Sequence, residues 1–325
     1  MRSLLVAILA AAAFVSVPSL LPENADSMRR SVATIECREQ YEIRAGGKTV
    51  AYFNDISADS TLTAVKDKPD SDTERKATVC GCWINRLSFL PSCRGRIFTV
   101  NPFSGGKGSI VVTGKNVGDI LDKTIRATEE KLKACRKKKG ELDYYLKTHS
   151  VKDGGYNTIA KYADDNMLAK KTLESSLQIL KAAKGQKNIK VARKTSYTLV
   201  YSPDGKTVRR VACQELPEES AKLPEGGCIV QTQDNFMPEG ANGVYRFDVF
   251  GVVPVKGDTI AAAGVFGLVA GSAQDKVRQR ANMFRGTAKS AATHDIPPLL
   301  APDGSPLFSH NGFFIGINRR GSIVR

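Results

Sequence analysis

Acidic, hydroxyl and imidazole side chains lie close together near the C-terminus. Residues 293–317 contain His294, Asp303, Ser305 and His310. A hydroxyl beside an imidazole can attack an acyl group, because the imidazole accepts the hydroxyl proton near neutral pH. A third, acidic group can orient that imidazole, so the three side-chain types together suggest nucleophilic catalysis as the chemistry to examine.

The same stretch resembles the trypsin/chymotrypsin-like serine peptidases. In that family a G-x-S-G-x-P turn presents the nucleophile and leads into a strand, a polar turn with glycine, and an apolar strand ending in Gly-Ile or Gly-Val. Here Gly304-x-Pro306 and the later Gly312 and Gly316 match this pattern. The position of the nucleophilic serine is occupied by Asp303.

The resemblance also implies a histidine after an apolar strand and an aspartate at the head of a later strand. Residues 56–66 supply an apolar strand followed by Leu-Thr-Ala, which places Lys66 at the histidine position. A weaker alternative places Asn116 there. The aspartate position falls on Asp248, within residues 245–250. The three positions follow the family's order along the chain.

These residue types do not support peptidase chemistry. A lysine at position 66 supplies no imidazole base. The Asp303 carboxylate is a poor nucleophile toward amides, and its charge opposes the oxyanion that forms in the transition state. Lys66 and Asp303 could instead form an ion pair, which would hold geometry and add little net stability. The resemblance therefore implies an inactive peptidase fold that binds a peptide, a protease, an inhibitor or an envelope component.

Two alternatives remain open at this point. The chain is an active peptidase if Ser305 acts with His294 or His310 in an unfamiliar geometry. It is a structural or anionic-surface-binding envelope protein of unrelated β-rich fold if the C-terminal resemblance is coincidental. No cofactor is expected under any of the three hypotheses.

The N-terminus has the three-part pattern of a secretory signal peptide, which we assign to residues 1–25. Arg2 is followed by an apolar run over residues 4–15 and by a break at Pro18. The run is too short for a comfortable membrane-spanning helix. Three small residues offer cleavage sites: Ser16, Ser19 and Ala25. We therefore expect a periplasmic or secreted protein, with an uncleaved N-terminal membrane anchor as the alternative.

Seven cysteines follow this segment: Cys37, Cys80, Cys82, Cys93, Cys135, Cys213 and Cys228. In an exported protein most cysteines are paired. Cys213 and Cys228 flank a polar loop and form the best predicted disulfide. One of Cys80 or Cys82 is expected to join Cys93 or Cys37, and the odd count leaves one free thiol. The spacing lacks paired C-x-x-C knuckles, so no metal site is predicted.

The elements that must position these residues are mainly strands. Short alternating apolar runs fill residues 31–117 and 197–325. Between them, heptad spacing of apolar residues predicts a helix over residues 119–146 and a second over residues 157–183, joined by a Gly-Gly turn. The predicted fold is a trypsin-like double β-barrel with an inserted helical hairpin. Its expected parts are a first lobe over 26–118, the hairpin over 119–190 and a second lobe over 191–325.

The net charge of the chain is +15. Residues 119–195 contain 19 Lys or Arg and 10 Asp or Glu, so +9 of that charge falls on the hairpin region. A basic surface favours anionic partners. In an exported protein these partners would be envelope components or other exported proteins, and chromosomal nucleic acid is not expected. The alternative interpretation of this charge is that it only solvates the surface of a hairpin whose two helices meet along an apolar seam.

Overall fold

A computed structural model describes residues 23–84, 94–103, 116–203, 207–244, 252–265 and 281–325. These residues form two compact units. The first, here called the barrel unit, holds most of the strands. The second, here called the helical unit, is formed by residues 39–75 and the described part of 106–195.

Six antiparallel strands close the first barrel. Their order around the barrel is β1-β3-β4-β7-β6-β5, and a pairing of β1 with β5 closes the ring. A short strand, β2, pairs with the outer end of β1 and lies outside the ring. The seven strands are β1 Val32–Ala45, β2 Lys48–Phe53, β3 Glu74–Trp83, β4 Arg96–Val100, β5 Ile189–Tyr201, β6 Arg209–Glu215 and β7 Gly227–Thr232.

Six further antiparallel strands close the second barrel in the order β8-β9-β10-β13-β12-β11. Counted along the chain, both barrels therefore pair their strands in the order first, second, third, sixth, fifth and fourth. The predicted mainly-β double barrel is confirmed. These strands are β8 Thr259–Gly264, β9 Asn282–Ser290, β10 Thr293–His294, β11 Pro306–Ser309, β12 Phe314–Arg319 and β13 Ser322–Val324.

The helical hairpin interrupts the first barrel and does not separate the two barrels. Strands β5, β6 and β7 follow the hairpin in the chain, yet they complete the first barrel. The expected start of the second lobe at residue 191 thus differs from the structure, in which the second barrel begins with β8. This boundary depends on which strands pair across long distances in the chain. The sequence does not report that pairing, because the local apolar patterns of the two lobes are alike.

The inserted hairpin consists of helices α2 Val117–Thr148 and α3 Tyr156–Lys184. The predicted heptad stripe is confirmed, because Leu121, Ile125 and Leu132 are buried. Across the seam, the Asn166 side chain donates a hydrogen bond to the Cys135 carbonyl. No helix within the described ranges is long and apolar enough to cross a bilayer.

The remaining helical segments are short. They are α1 Ala25–Arg30, α4 Pro217–Ser220 and a 3-10 turn at Gln233–Asn235. Helix α1 precedes the first strand and buries Met28 in the core of the barrel unit. It therefore belongs to the fold, although Ala25 stands inside the expected signal segment.

One continuous apolar core joins the two barrels within the barrel unit. Strand β4 is buried at four successive residues from Ile97 to Val100, so both of its faces are covered. Phe308, Ile317 and Val324 of the second barrel belong to the same cluster. Burying large apolar side chains contributes roughly 1.5–3 kcal/mol each, so this shared core stabilises the two barrels together.

The six cysteines that the structure describes are free thiols, so the expected Cys213–Cys228 disulfide is not formed. The strand register explains this result. Cys213 lies opposite Thr232 on β7, which puts Cys228 four residues, about 13 Å, further along that strand. Cys37, Cys80 and Cys82 are likewise unpaired. Cys93 lies outside the described residues. Burial raises the pKa of Cys228 to about 12, so its thiol is unreactive in the folded chain.

Candidate functional site

The turn that resembles the nucleophile turn lies between the two barrels, directly before β11. Gly304 has a φ of +84°, a conformation that favours glycine. A Cβ added at Gly304 would lie 1.8 Å from the carbonyl oxygen of Cys80 on β3. The Cys80 amide donates a 2.8 Å hydrogen bond to the Asp303 carbonyl. The sequence therefore needs glycine here, because the turn packs against the backbone of the first barrel.

Asp303 stabilises a neighbouring hairpin. Its carboxylate accepts a 2.7 Å hydrogen bond from the Arg320 amide. Arg320 and Gly321 form the two-residue connection between β12 and β13, and both have positive φ, as tight hairpin turns of this length require. The Asp303 carboxylate thus fixes a turn that contains a non-glycine residue in a costly backbone conformation.

Two amide groups of the turn already have partners. Gly304 donates a 2.7 Å hydrogen bond to the Asn318 carbonyl, and Ser305 donates a 3.0 Å hydrogen bond to the Pro302 carbonyl. Stabilising an acyl-transfer oxyanion requires N–H groups that point at the developing charge. These two N–H groups are used inside the protein and cannot serve an incoming carbonyl without breaking the turn.

The Ser305 side chain is fully buried. No group meets hydrogen-bond geometry with its hydroxyl among the described residues. Burial raises the pKa of the Cys80 thiol, and the nearby Ser305 hydroxyl offsets part of that rise. Ser305 is therefore both inaccessible to a substrate and without an imidazole partner.

His294 on β10 is buried and belongs to a separate hydrogen-bond network. Its Nε2 lies 2.9 Å from the side-chain oxygen of Asn318, and its Nδ1 accepts a 3.2 Å hydrogen bond from the Ile296 amide. Nε2 must then carry the proton, so the ring is neutral. Asn318 also accepts a hydrogen bond from the Gly321 amide and donates to the Ala301 carbonyl. Both imidazole nitrogens are thereby occupied.

The buried imidazole makes stability depend on pH. Burial is the largest effect on His294 and lowers its pKa; Asp295 opposes this shift and Lys289 adds to it. Because the unfolded chain binds a proton that the native ring does not, the free energy of unfolding should fall as pH decreases below about 6.5. The slope from this residue is at most about 1.4 kcal/mol per pH unit.

Urea unfolding between about pH 7.5 and 5 measures this effect. We expect His294→Gln to flatten the dependence and the exposed His310→Gln to leave it unchanged. The same slope in wild type and His294→Gln would contradict the assignment of the neutral ring.

Of the other two histidines, His149 lies far along the chain from Ser305 and His310 lies on the surface. His149 terminates α2, where its Nδ1 lies 3.0 Å from the Tyr145 carbonyl and its ring stacks on the Tyr145 ring. His310 is exposed in the turn between β11 and β12. Neither is placed with Ser305 in the hydrogen bonds that the structure describes.

Lys66 and Asp303 belong to different compact units. The Lys66 ammonium forms salt bridges with Asp70 and with Asp72, the latter at 2.6 Å. Hydrogen bonds to those two carboxylates raise the pKa of Lys66. Residues 56–66 form isolated bridges and no strand. Asn116 precedes α2 as its N-cap, and Asp248 lies outside the described residues.

Sequence reasoning missed the residue that organises the site. Asn318 is a single polar residue in the apolar strand β12, and nothing in its spacing marks it. Its partners at positions 294, 301 and 321 come from three different segments, so only the folded barrel reveals them. Cys80 was predicted as a disulfide partner, whereas its backbone is what holds the Asp303 turn.

Positive charge is unevenly distributed over the helical unit. Residues 170–194 contain eight Lys or Arg and one acidic residue, so +7 of the region's charge falls at the end of α3 and the start of β5. Lys190 and Lys194 are exposed on β5, four residues apart, which puts them on one face of the strand. Within the described ranges, no group of His, Cys, Asp and Glu could hold a metal ion.

Comparison with known proteins gives no further assignment. No protein-family model, curated protein or solved structure matches the chain.

Proposed function

We propose that the chain is an exported, catalytically inactive protein of trypsin-like fold that binds a protein or an envelope ligand. The observation that carries this proposal is the use of Asp303. Its carboxylate stands at the nucleophile position of the resemblance and accepts a hydrogen bond from Arg320. A residue engaged in holding a turn has a structural role, which accounts for its presence without catalysis.

The two closed six-stranded barrels, which share one strand order, agree with the double-barrel fold that the resemblance implies. The burial of Ser305 and the occupied nitrogens of His294 support inactivity. An active enzyme using these two residues would need Ser305 to turn outward and His294 to leave Asn318. The second change would leave the buried His294 and Asn318 side chains without each other as partners, at about 1–3 kcal/mol for each unpaired group.

A fluorophosphonate probe tests the proposal. We expect no covalent labelling of the purified chain, and none of Ser305→Ala, because no activated serine is available to attack phosphorus. The control is a serine hydrolase labelled in the same tube. Labelling of wild type that disappears in Ser305→Ala would establish an active serine and overturn the proposal.

A second candidate function is binding to an anionic envelope surface, with or without the peptidase resemblance. The observation that favours it is the +7 charge over residues 170–194. Exposed lysines near a negatively charged membrane contribute about 1 kcal/mol each, and salt screens this attraction.

The measurement is the affinity of the chain for vesicles of phosphatidylglycerol and phosphatidylcholine. The triple change of Lys187, Lys190 and Lys194 to Gln should weaken binding about a hundredfold at low salt. The matched control is Lys181 and Lys184 to Gln, because these lysines already pair with Glu129 and Asp122 on α2. Equal binding by the triple variant and wild type would remove this candidate.

A further inference from the structure

We propose that the free edge of strand β5 binds an extended acidic segment of another protein by strand addition. The free edge consists of residues 189–195, the part of β5 that precedes its pairing with β6. This inference rests on the proposed binding role of the chain and deepens it, because it names a binding surface and the chemistry of the partner. The partner is a polypeptide and not a lipid surface.

Strand β5 is longer than its pairing with β6. The cross-strand pairs begin at Tyr197, which lies opposite Cys213, and continue to the end of β5. The strand itself begins eight residues earlier, at Ile189. Strand β1 closes the barrel by pairing with β5 on the edge opposite to β6. On the β6 side, residues 189–195 therefore have no strand partner in the part of the chain that the structure describes.

Strand β6 does not cover this edge, because it leaves β5 after Cys213. Gln214 and Glu215 pair with β7 and not with β5. Outside the strand pairings, no main-chain hydrogen bond among the described residues involves residues 189–195. An unpaired row of N–H and C=O groups is a template for another strand. This row is about 23 Å long, which suits an added segment of about seven residues.

The charge of the free edge selects the kind of strand that can join it. Residues 175–203 contain six Lys or Arg and no Asp or Glu. Lys190 and Lys194 are exposed on one face of β5, whereas Arg193 forms a salt bridge with Glu39. Like charges directly opposite each other destabilise a strand pair, and opposite charges stabilise it by about 0.2–1 kcal/mol. The lysines therefore disfavour a second copy of this edge and favour an acidic segment.

The other face of the free edge is apolar. Ile189 and Val191 are partly buried and pack against the apolar core of the helical unit. Side chains alternate between the two faces of a strand. A segment with acidic residues opposite Lys190 and Lys194 would thus place its intervening odd-numbered positions beside this core. The edge specifies acidic residues four positions apart with apolar residues between them, a pattern that a lipid surface does not have.

A blocked seven-residue peptide provides the first test. It has glutamate at its second and sixth positions, valine at its third and fifth, and threonine elsewhere. At low salt we expect the purified full chain to bind it about tenfold more tightly than the peptide with lysine at the same two positions, because two attractive pairs become repulsive. Fluorescence anisotropy of the labelled peptides gives both affinities. Equal affinities, or no binding of either peptide, would overturn the proposal.

Charge reversal on the protein checks that the preference comes from this edge. The double change Lys190→Glu and Lys194→Glu should make the chain prefer the lysine peptide. The matched control is Lys133→Glu with Lys137→Glu, two exposed lysines of α2 that are also four residues apart. This control has the same net charge as the β5 variant and should keep the wild-type preference. An equal loss of preference in the control would show that net charge alone attracts the peptide, and the proposal would fail.

Main-chain pairing separates strand addition from simple charge attraction. Successive N–H groups of a strand point to opposite edges, so only alternate N–H groups of the peptide can face β5. We expect N-methylation at one alternate set to weaken binding about tenfold or more and methylation at the other set to leave it unchanged. The amides of residues 189–195 should also gain protection from hydrogen exchange when the unmethylated peptide binds. Unchanged exchange there, or full affinity of both methylated peptides, would contradict strand addition.

These results are independent of the tests of the proposed function. Vesicle binding without peptide binding would overturn the strand-addition proposal and leave the anionic-surface candidate standing. Fluorophosphonate labelling that disappears in Ser305→Ala would overturn the inactivity of the chain, whereas selective binding of the glutamate peptide would still support the free edge of β5 as a binding surface.

Discussion

Replacing Gly304 by alanine is expected to lower the free energy of unfolding by more than about 4 kcal/mol, or to prevent folding of the barrel unit. The added Cβ would lie 1.8 Å from the Cys80 carbonyl oxygen. Neither backbone can move away, because the Cys80 amide is hydrogen-bonded to the Asp303 carbonyl. The φ of +84° adds a conformational cost of about 1–2 kcal/mol for any residue with a side chain.

Gly140→Ala is the matched control. Gly140 is exposed within α2, and a Cβ there would have nothing within 4 Å. Alanine is the better helix former by about 1 kcal/mol, so this variant should be more stable than wild type. Urea unfolding followed by circular dichroism reports on both variants. A Gly304→Ala protein with wild-type stability would mean that the turn does not pack on β3.

Replacing Asn318 by alanine is expected to cost about 3–5 kcal/mol. Asn318 is 1% exposed and joins the His294 ring, the Gly321 amide and the Ala301 carbonyl. Alanine would leave three polar groups without their partner, and each loses about 1–3 kcal/mol when buried and unsatisfied. The free energy of unfolding in urea measures the loss.

Asn311→Ala provides the control, because Asn311 is exposed in a turn and its replacement should change stability by less than about 0.5 kcal/mol. A double-mutant cycle sharpens the test. Once His294 has been replaced by alanine, the Asn318 change should cost less than it does in wild type, because part of the same network is already gone. Additive losses would show that the two side chains do not interact.

The helical hairpin could be predicted from the sequence because its signals are local. Apolar residues at Leu121, Ile125 and Leu132 recur at helical spacing, and Gly154 and Gly155 mark the turn between the helices. The structure places the two helices within two residues of the predicted ends. The double barrel and the β11–β12 hairpin were also predicted, since alternation and turn glycines mark strands wherever they occur.

The barrel to which each strand belongs could not be predicted in the same way. Strands β5 to β7 pair with strands that precede the hairpin, and their alternating patterns look like those of the second barrel. The Cys213–Cys228 disulfide was wrong for a related reason, because a disulfide depends on register and not on spacing along the chain. The role of Asp303 required the positive φ values of the Arg320–Gly321 turn, which no sequence pattern reports.

The placement of the hairpin has a consequence for the order in which the chain folds. The first barrel cannot close until β7 has been synthesised, so β1, β3 and β4 must wait for the chain beyond residue 226. The hairpin can form earlier, and the salt bridges of Asp122 with Lys184 and of Glu129 with Lys181 bring its two ends together. The segment between β4 and β5 then behaves as a short connection, which lowers the entropic cost of joining β5 to β1 by about 1 kcal/mol. An insertion that lengthens the chain thus speeds the closure of the barrel that it interrupts.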